Sequence, residues 1–329
     1  MGQSSVKKHT AEGSFSSSIK SELAGLKVRR YSDALSLLSA FTLAIGSLRF
    51  VKQSASWGVH YSLKSKEAID LASKLISNHF GLECRISEVK HERLNAQYYE
   101  LLAFGEGTNE FMLKTGLMTH DSNGERSFLS AVPQDVLKTE TQSKMFVRGL
   151  FLACGMATQP EKAYHLEFVL SNEDIAKTLN EILSAHGIEP KRSKRKSSTV
   201  IYIKEGEKLE DLLAYIGASE AMMRVSNERI VKQAINKANR DVNCINANIV
   251  RSMDAAQKQI EDIELVLKTF AKNELSNELR AVAEKRAQNL EMTLSDLADE
   301  LGIGRSAVNY RLKKLSNLAK RIRNGEEIN

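Results

Sequence analysis

The chain has 329 residues, and 42% of them are hydrophobic, so it is long enough for two or three domains with apolar cores and is not a globally disordered protein. Its net charge of +6 fits an anionic partner without requiring one. Its three cysteines are far apart, which indicates reduced thiols in a cytoplasmic protein and argues against a disulfide framework or a zinc site.

The N-terminal segment contains no membrane or export signal. Residues 1–13 are polar and lack the apolar core of a signal peptide, so we expect a disordered tail. Residues 34–48 carry no charge, but this run is too short to span a bilayer and predicts a buried helix. The histidines show no metal-ligand spacing. We therefore expect no membrane partner, no metal and no other cofactor.

An internal repeat occupies the region predicted to be one domain, residues 14–218. Three pairs of segments are alike: residues 39–47 (SAFTLAIGS) and 148–156 (RGLFLACGM), residues 63–82 and 169–188, and residues 98–116 and 200–217. In the first pair, Gly46 matches Gly155. The order of strand-like and helix-like patterns predicts αββαββα in each copy, with repeat 1 at about residues 33–118 and repeat 2 at about residues 142–218.

Two copies of this kind are expected to pair about a pseudo-twofold axis, with their first helices side by side. Small residues near the ends of these helices would let the two backbones approach closely. They are Ala44, Gly46, Ala153 and Gly155.

A basic run, KRSKRK, lies between two predicted strands of repeat 2. Its five cationic residues are Lys191, Arg192, Lys194, Arg195 and Lys196. One interpretation is a hairpin that contacts DNA phosphates as a secondary site. The other is a solvated, mobile loop, because runs of charge are often only solvated.

After Gly217 the chain contains no glycine or proline until Gly302, which predicts a C-terminal third that is almost entirely helical. Residues 219–272 are expected to form a helical linker that packs on something or tethers two domains. Apolar residues recur in it at steps of three, four or seven: Ile245, Ile249, Ala256, Ile260, Ile263, Leu267 and Phe270. Ser276 is the expected N-cap of a further helix at about residues 277–289.

Residues 293–315, TLSDLADELGIGRSAVNYRLKKL, are typical of a helix-turn-helix, within a predicted domain at residues 273–329. Thr293 is a good N-cap, and Asp296 three residues later completes a capping-box pattern. Gly302 lies where the chain must turn tightly and where a positive φ is expected. Val308, Leu312 and Leu315 form the apolar stripe of the second helix.

The opposite face of this second helix predicts contact with double-stranded DNA. The predicted DNA-binding residues of the helix-turn-helix are Thr293, Arg305, Ser306, Asn309, Tyr310, Lys313 and Lys314. Asn309 and Arg305 are the expected base readers, and Ser306, Lys313 and Lys314 are expected at phosphates. Residues 302–324 contain seven Lys or Arg and no acid, which favours DNA over the alternative, an ordinary helical hairpin with a solvated basic face.

Paired αββαββα repeats, whose first helices end in small residues, resemble the LAGLIDADG homing-endonuclease fold. In that family the residue before the final glycine is an acid that binds the catalytic divalent metal. Ile45 and Cys154 occupy these positions here, and neither offers the hard oxygen ligand that Mg²⁺ needs. We therefore expect the fold without catalytic residues and without enzyme activity.

A degenerate domain of this kind followed by a helix-turn-helix resembles the WhiA family of bacterial sporulation and cell-division transcription regulators. The segments that carry the resemblance are residues 14–26, 148–156, 161–168, 239–249 and 255–263, together with the terminal motif. The resemblance implies an α+β fold in which two LAGLIDADG-like repeats, related by a pseudo-twofold, precede a long helical linker and an all-α helix-turn-helix domain.

The function that this resemblance implies is sequence-specific regulation of transcription in cell division, chromosome segregation or sporulation. The expected location is the cytoplasm, in association with the nucleoid. Another transcription regulator or a component of RNA polymerase is a further partner to consider. Two alternatives stay open: an active LAGLIDADG-type endonuclease or maturase that uses other acids, and a chromosome-associated structural protein of cell division.

Overall fold

A computed structural model describes residues 14–52, 55–91, 96–120, 126–127, 131–271 and 274–326 of the chain. The tail predicted at residues 1–13 lies outside the described residues. The chain divides into two compact units, Met1–Lys232 and Gln233–Asn329.

The first unit begins with α1 (Phe15–Gly25) and then contains two repeats with the same order of elements. Repeat 1 consists of α2 (Tyr31–Ile45), β1 (Ser47–Val51), β2 (Ser56–Leu63), α3 (Lys66–Phe80), β3 (Glu83–His91), β4 (Ala96–Phe104) and α4 (Thr108–Thr115). A short hairpin of β5 (Thr119–His120) and β6 (Arg126–Ser127), and a 3-10 turn (Gln134–Leu137), follow. Repeat 2 consists of α5 (Glu140–Cys154), β7 (Gly155–Ala157), β8 (Leu166–Leu170), α6 (Glu173–Ala185), β9 (Lys191–Arg195), β10 (Ser198–Ile203) and α7 (Gly206–Ile216). The predicted αββαββα order is confirmed in both copies.

The two repeats build equivalent antiparallel sheets. Strand order is β1-β2-β4-β3 in repeat 1 and β7-β8-β10-β9 in repeat 2. Val59 is opposite Ala103 in the first sheet, and Phe168 is opposite Ile201 in the second. All four side chains are buried in one hydrophobic core that both repeats share. The alternation of buried and half-buried residues along β8 is what a strand with one face on a core requires.

The first helices of the two repeats, α2 and α5, pack against each other, as predicted, and a glycine outside the predicted set of small residues lies at their contact. A Cβ added at Gly149 would lie 2.3 Å from the Leu37 carbonyl oxygen of α2. A Cβ added at Gly46 or Gly155 would instead meet atoms of the preceding turn of its own helix. Gly149, six residues before Gly155, is therefore the residue whose missing side chain admits the facing backbone.

A single helix, α8 (Ser219–Thr269), begins in the first unit and ends in the second. Ala221 and Val225 belong to the core of the first unit, and Ile263 and Val266 belong to the core of the second. The predicted helical run is thus confirmed. Its apolar face is not packed throughout: residues 233–255 are exposed, apart from a half-buried Ala247.

The second unit contains α9 (Asn277–Gln288), α10 (Leu294–Leu301) and α11 (Arg305–Arg323). They pack with the end of α8 around a small core to which each helix contributes, including Val282, Leu297 and Val308. Ser276 precedes α9 as predicted, but its side chain makes no cap hydrogen bond. None of the helices in the described ranges has the length and apolar character needed to cross a membrane.

Candidate nucleic-acid interface

A complete capping box begins α10. The Thr293 hydroxyl accepts a hydrogen bond from the Asp296 N–H at 3.2 Å, and the Asp296 carboxylate accepts one from the Thr293 N–H at 2.8 Å. The hydrogen bonds that the carboxylate accepts, first from the Thr293 N–H and then from the Thr293 side chain, hold the pKa of Asp296 below its usual value. The predicted N-terminus of the first helix of the motif is therefore confirmed, and Thr293 has a structural role at this position.

The turn between α10 and α11 depends on Gly302. Its φ of 62° lies in the left-handed region, as predicted, and its N–H is bonded back to the last turn of α10. The next residue, Ile303, donates its N–H to the Ala298 carbonyl oxygen at 3.0 Å. This closure satisfies the free carbonyls of the helix end and directs the chain into α11.

The face of α11 that points away from the core carries the predicted DNA-binding residues. Its buried stripe consists of Val308, Leu312, Leu315 and Ala319. Its exposed residues include all six that were predicted on this helix: Arg305, Ser306, Asn309, Tyr310, Lys313 and Lys314. Tyr310 is 67% exposed, so its ring is accessible on this face.

Ion pairing separates the cations of α11 into two groups. Three are held by carboxylates of the same unit: Arg311 by Glu278 at 2.8 Å, Arg321 by Glu326 at 3.3 Å and Arg323 by Asp262 at 2.7 Å. The other four form no ion pair with any residue in the described ranges, and they are Arg305, Lys313, Lys314 and Lys320. These four are the cations available to an outside anion, and sequence reasoning did not single out Lys320.

The N-terminus of α11 has no side-chain cap. Its N-cap is Gly304, which has no side chain to accept from the N–H groups of the first turn. A helix end in this state binds anions, because its free N–H groups and its dipole both favour negative charge. Arg305 and Ser306 lie directly at this end.

The basic run of repeat 2 forms one strand of a hairpin, as in the first of its two interpretations, and is not a loop between strands. Residues 191–195 are β9, an edge strand paired only with β10, and Lys196 makes the hairpin turn with a φ of 55°. All five strand residues are exposed, which explains how so many charges are tolerated. Arg192 is paired with Glu173 of α6, while Lys191, Lys194, Arg195 and Lys196 form no ion pair among the described residues.

The two positions that hold metal-binding acids in homing endonucleases lie at matching ends of α2 and α5. Ile45 is the last residue of α2, and Cys154 is the last residue of α5. The Cys154 thiol donates to the Leu150 carbonyl oxygen at 3.3 Å, and burial raises its pKa to about 12. No group of three or more His, Cys, Asp or Glu side chains in the described ranges could hold a metal ion.

Two further residues of the first unit were not predicted from the sequence. Lys20, on α1, lies near the thiol of Cys154. The guanidinium of Arg148 on α5 is buried and donates a hydrogen bond to the Ile216 carbonyl oxygen at 2.8 Å. This bond gives a partner to a carbonyl that the last turn of α7 leaves without one inside the helix. The helical spacing of Phe15, Ile19 and Leu23 after the N-cap Ser14 was the available signal for α1.

Comparison with known proteins gives consistent matches along the chain. Residues 143–234 match the family model described as WhiA LAGLIDADG-like domain, and residues 238–319 match the one described as WhiA C-terminal HTH domain. The "Probable cell division protein WhiA" of Clostridium acetobutylicum is 34% identical, over 94% of this chain and 98% of that protein. Its namesake from Clostridium novyi is 33% identical with the same coverage. The crystal structure of full-length DUF199/WhiA from Thermotoga maritima has a similar fold, with a TM-score of 0.58 and 24% identity over 94% of this chain and 99% of that one.

Proposed function

Because the chain belongs to the WhiA family, we propose that it is a sequence-specific DNA-binding regulator of transcription that reads DNA with α11. One observation carries the proposal: the exposed face of α11 combines four cations without carboxylate partners and an exposed amide. The fold does not use these groups, and double-stranded DNA offers complementary groups to each of them.

The exposed residues divide into two chemical roles. Asn309 has an amide that can pair bidentately with adenine, and Arg305 has a guanidinium that can pair with guanine. Ser306, Lys313 and Lys314 position the helix on phosphates, which the uncapped N-terminus of α11 also binds. Tyr310 adds apolar contact in the groove. Thr293, the exposed N-cap residue of α10, is a further DNA-binding residue in this proposal.

Strand β9 is a secondary contact with DNA in this proposal. Four cations of this strand and its turn have no carboxylate partner in the described ranges. The side chains of an exposed edge strand are also accessible. Contacts of this type add affinity on any sequence, because phosphates carry no base information.

The cellular role follows from the family. The relatives are named cell division proteins, and we assign this chain to regulation of genes for division, chromosome segregation or sporulation. It acts in the cytoplasm on the nucleoid, where another transcription regulator or a component of RNA polymerase is its protein partner.

Genome-wide mapping of bound DNA, combined with transcript measurement, tests the proposal. Wild-type protein is expected to occupy discrete promoters whose transcripts change when the protein is removed. Asn309→Ala is expected to lose these sites, and Asn317→Ala, which changes an exposed amide two turns later on the same helix, is the matched control. Occupancy spread evenly over the chromosome without transcript changes would instead identify a structural chromosome protein.

We also propose that the chain has no nuclease activity, because Ile45 and Cys154 provide no oxygen ligand at the two metal positions of the fold. Purified protein incubated with plasmid and Mg²⁺ or Mn²⁺ over a wide pH range is expected to leave the plasmid intact. Cleavage that co-purifies with the protein and stops on addition of a chelator would show that other acids form an active site.

A further inference from the structure

A solvent-open cavity of about 410 Å³ lies beside the C-terminal end of α5, in the first compact unit. Four segments that are distant in sequence form its wall: the start of α1, the connection from β2 to α3, Tyr98 of β4, and residues 153–156. Its volume falls within the range of small-molecule sites. We call it the lysine cavity, because Lys20 and Lys64 line it.

The lining of the lysine cavity carries positive charge without negative charge. Besides the two lysines it contains serine hydroxyls, the phenol of Tyr98 and apolar atoms, but neither Asp nor Glu. Lys20 and Lys64 form no ion pair with any residue that the structure describes, whereas Lys114 of the same unit is paired with Glu110 at 2.6 Å. The cavity therefore has two cations that no carboxylate of the described residues neutralises.

Lys20 is the more constrained of the two cations. Its side chain is half-buried, and burial lowers the pKa of its ammonium group. The thiol of Cys154, with which it interacts, stays uncharged at neutral pH because its own pKa is raised to about 12. An ammonium group in this environment is stabilised by an anion, since a partly desolvated charge without a partner is unfavourable.

Tertiary contacts hold the wall of the cavity in place. The Ser16 hydroxyl donates to the Ala157 carbonyl oxygen at 2.9 Å and accepts from the Ala157 N–H at 2.7 Å, which joins α1 to β7. The Lys64 ammonium lies 5.5 Å from the centre of the Tyr98 ring, which joins the connection after β2 to strand β4. A wall assembled in this way is preformed, so a ligand does not have to order it.

We propose that the lysine cavity binds a small phosphorylated anion, with its phosphoryl group within reach of the Lys20 and Lys64 ammonium groups. A phosphate monoester carries close to two negative charges and three acceptor oxygens, which match two ammonium groups and neighbouring hydroxyls better than a single carboxylate does. The site lies outside α11, and the proposal does not depend on how α11 binds DNA.

Titration of the full chain with inorganic phosphate and with adenosine monophosphate, at fixed ionic strength, tests the proposal by calorimetry. Saturable binding is expected, and Lys20→Met and Lys64→Met should each weaken it at least tenfold. Lys204→Met is the matched control, because Lys204 is also exposed and also lies over a tyrosine ring, that of Tyr202, but does not line the cavity. Lys64 is exposed, so its replacement leaves the fold intact.

Two results would overturn the proposal: no saturable binding of either probe below about 10 mM, or equal loss of binding in Lys204→Met and Lys64→Met. The source of the phosphoryl group is settled by repeating the titration with duplex DNA. If Lys20→Met and Lys64→Met bind DNA as tightly as wild type does, the ligand is a free phosphorylated molecule. If both lose DNA affinity and phosphate competes with DNA, the phosphoryl group belongs to the DNA backbone.

Discussion

The exposed side chains of α11 place amide and ammonium chemistry on one helix. Asn309 carries a group that can distinguish bases, whereas Lys314 carries a point charge that recognises any phosphate. Arg311 has the same charge as Lys314 but is paired with Glu278, so a DNA phosphate would have to compete with that carboxylate. Partners within the fold, and not charge alone, thus decide which cations of α11 can act on a ligand.

This division predicts different effects for two substitutions. Asn309→Ala should cost about 1–3 kcal/mol on the preferred site and much less on random duplex. Lys314→Ala should weaken both complexes alike and reduce the slope of log affinity against log salt by about one. Titrations of specific and random duplexes at several salt concentrations measure both effects.

The control for these titrations is Asn317→Ala, which should bind both duplexes as wild type does. If Asn309→Ala and Lys314→Ala bind like wild type, while charge reversal in β9 abolishes binding, the repeat domain is the DNA reader and the assignment to α11 is wrong.

Among the elements, the pair α2 and α5 depends on one glycine. A methyl group at Gly149 would overlap the Leu37 carbonyl oxygen, and the two backbones can make room only by moving apart within a shared core. Gly149→Ala is therefore expected to lower the free energy of unfolding by about 1–3 kcal/mol. Chemical denaturation followed by circular dichroism measures the change.

Gly25, at the end of α1, is the comparison for this substitution. A Cβ added there would meet no atom within 4 Å, so Gly25→Ala should leave stability close to that of wild type. Equal midpoints for Gly149→Ala and wild type would show that the two helices do not approach as closely as described.

The internal repeat predicted the order of elements and the pairing of α2 with α5, and local patterns predicted the details of single elements. The capping box at Thr293, the turn at Gly302 and the buried stripe of α11 each depend on residues within a few positions of one another. Strand β9 was taken for a connection between strands because Lys and Arg replace the usual alternation, and only its pairing with β10 defines it. The role of Gly149 was missed because it depends on Leu37, more than a hundred residues away.

Functional residues were likewise predicted where a local pattern places them and missed where only contacts distant in sequence do. The predicted exposed face of α11 was found because helix periodicity determines it. The ion pairs that withdraw Arg311 and Arg323 from that face join residues 33 and 61 positions apart, and no sequence pattern signals them. Lys20 and Cys154 are likewise brought together only by the packing of α1 on the repeats.

On the scale of the whole molecule, the first unit extends beyond the end of repeat 2. Ala221 and Val225 of α8 are buried in its core. The Glu22 carboxylate of α1 accepts hydrogen bonds from the N–H groups of Glu220 at 2.8 Å and Ala221 at 3.1 Å, which caps the start of α8. The predicted domain end at residue 218 would remove all of these contacts, so we propose residue 232 as the boundary of the folding unit.

Two fragments test this boundary. Residues 14–232 are expected to unfold cooperatively, and residues 14–218 should be less stable by at least about 2 kcal/mol, because burial of a single Val contributes that much. Thermal and chemical unfolding of both fragments provide the comparison. Equal stability of the two fragments would show that the folding unit ends at residue 218.

The middle of α8 has a consequence for amide hydrogen exchange. Residues 233–255 contain five asparagines, which are weak helix formers, and Ile245 and Ile249 are 57% and 52% exposed. Helices in water depend mainly on packing for stability, so this stretch should open locally far more often than the buried ends of α8. Deuterium uptake is therefore expected to be faster at residues 236–252 than at residues 257–267, and uniform protection along α8 would mean that another surface covers its middle.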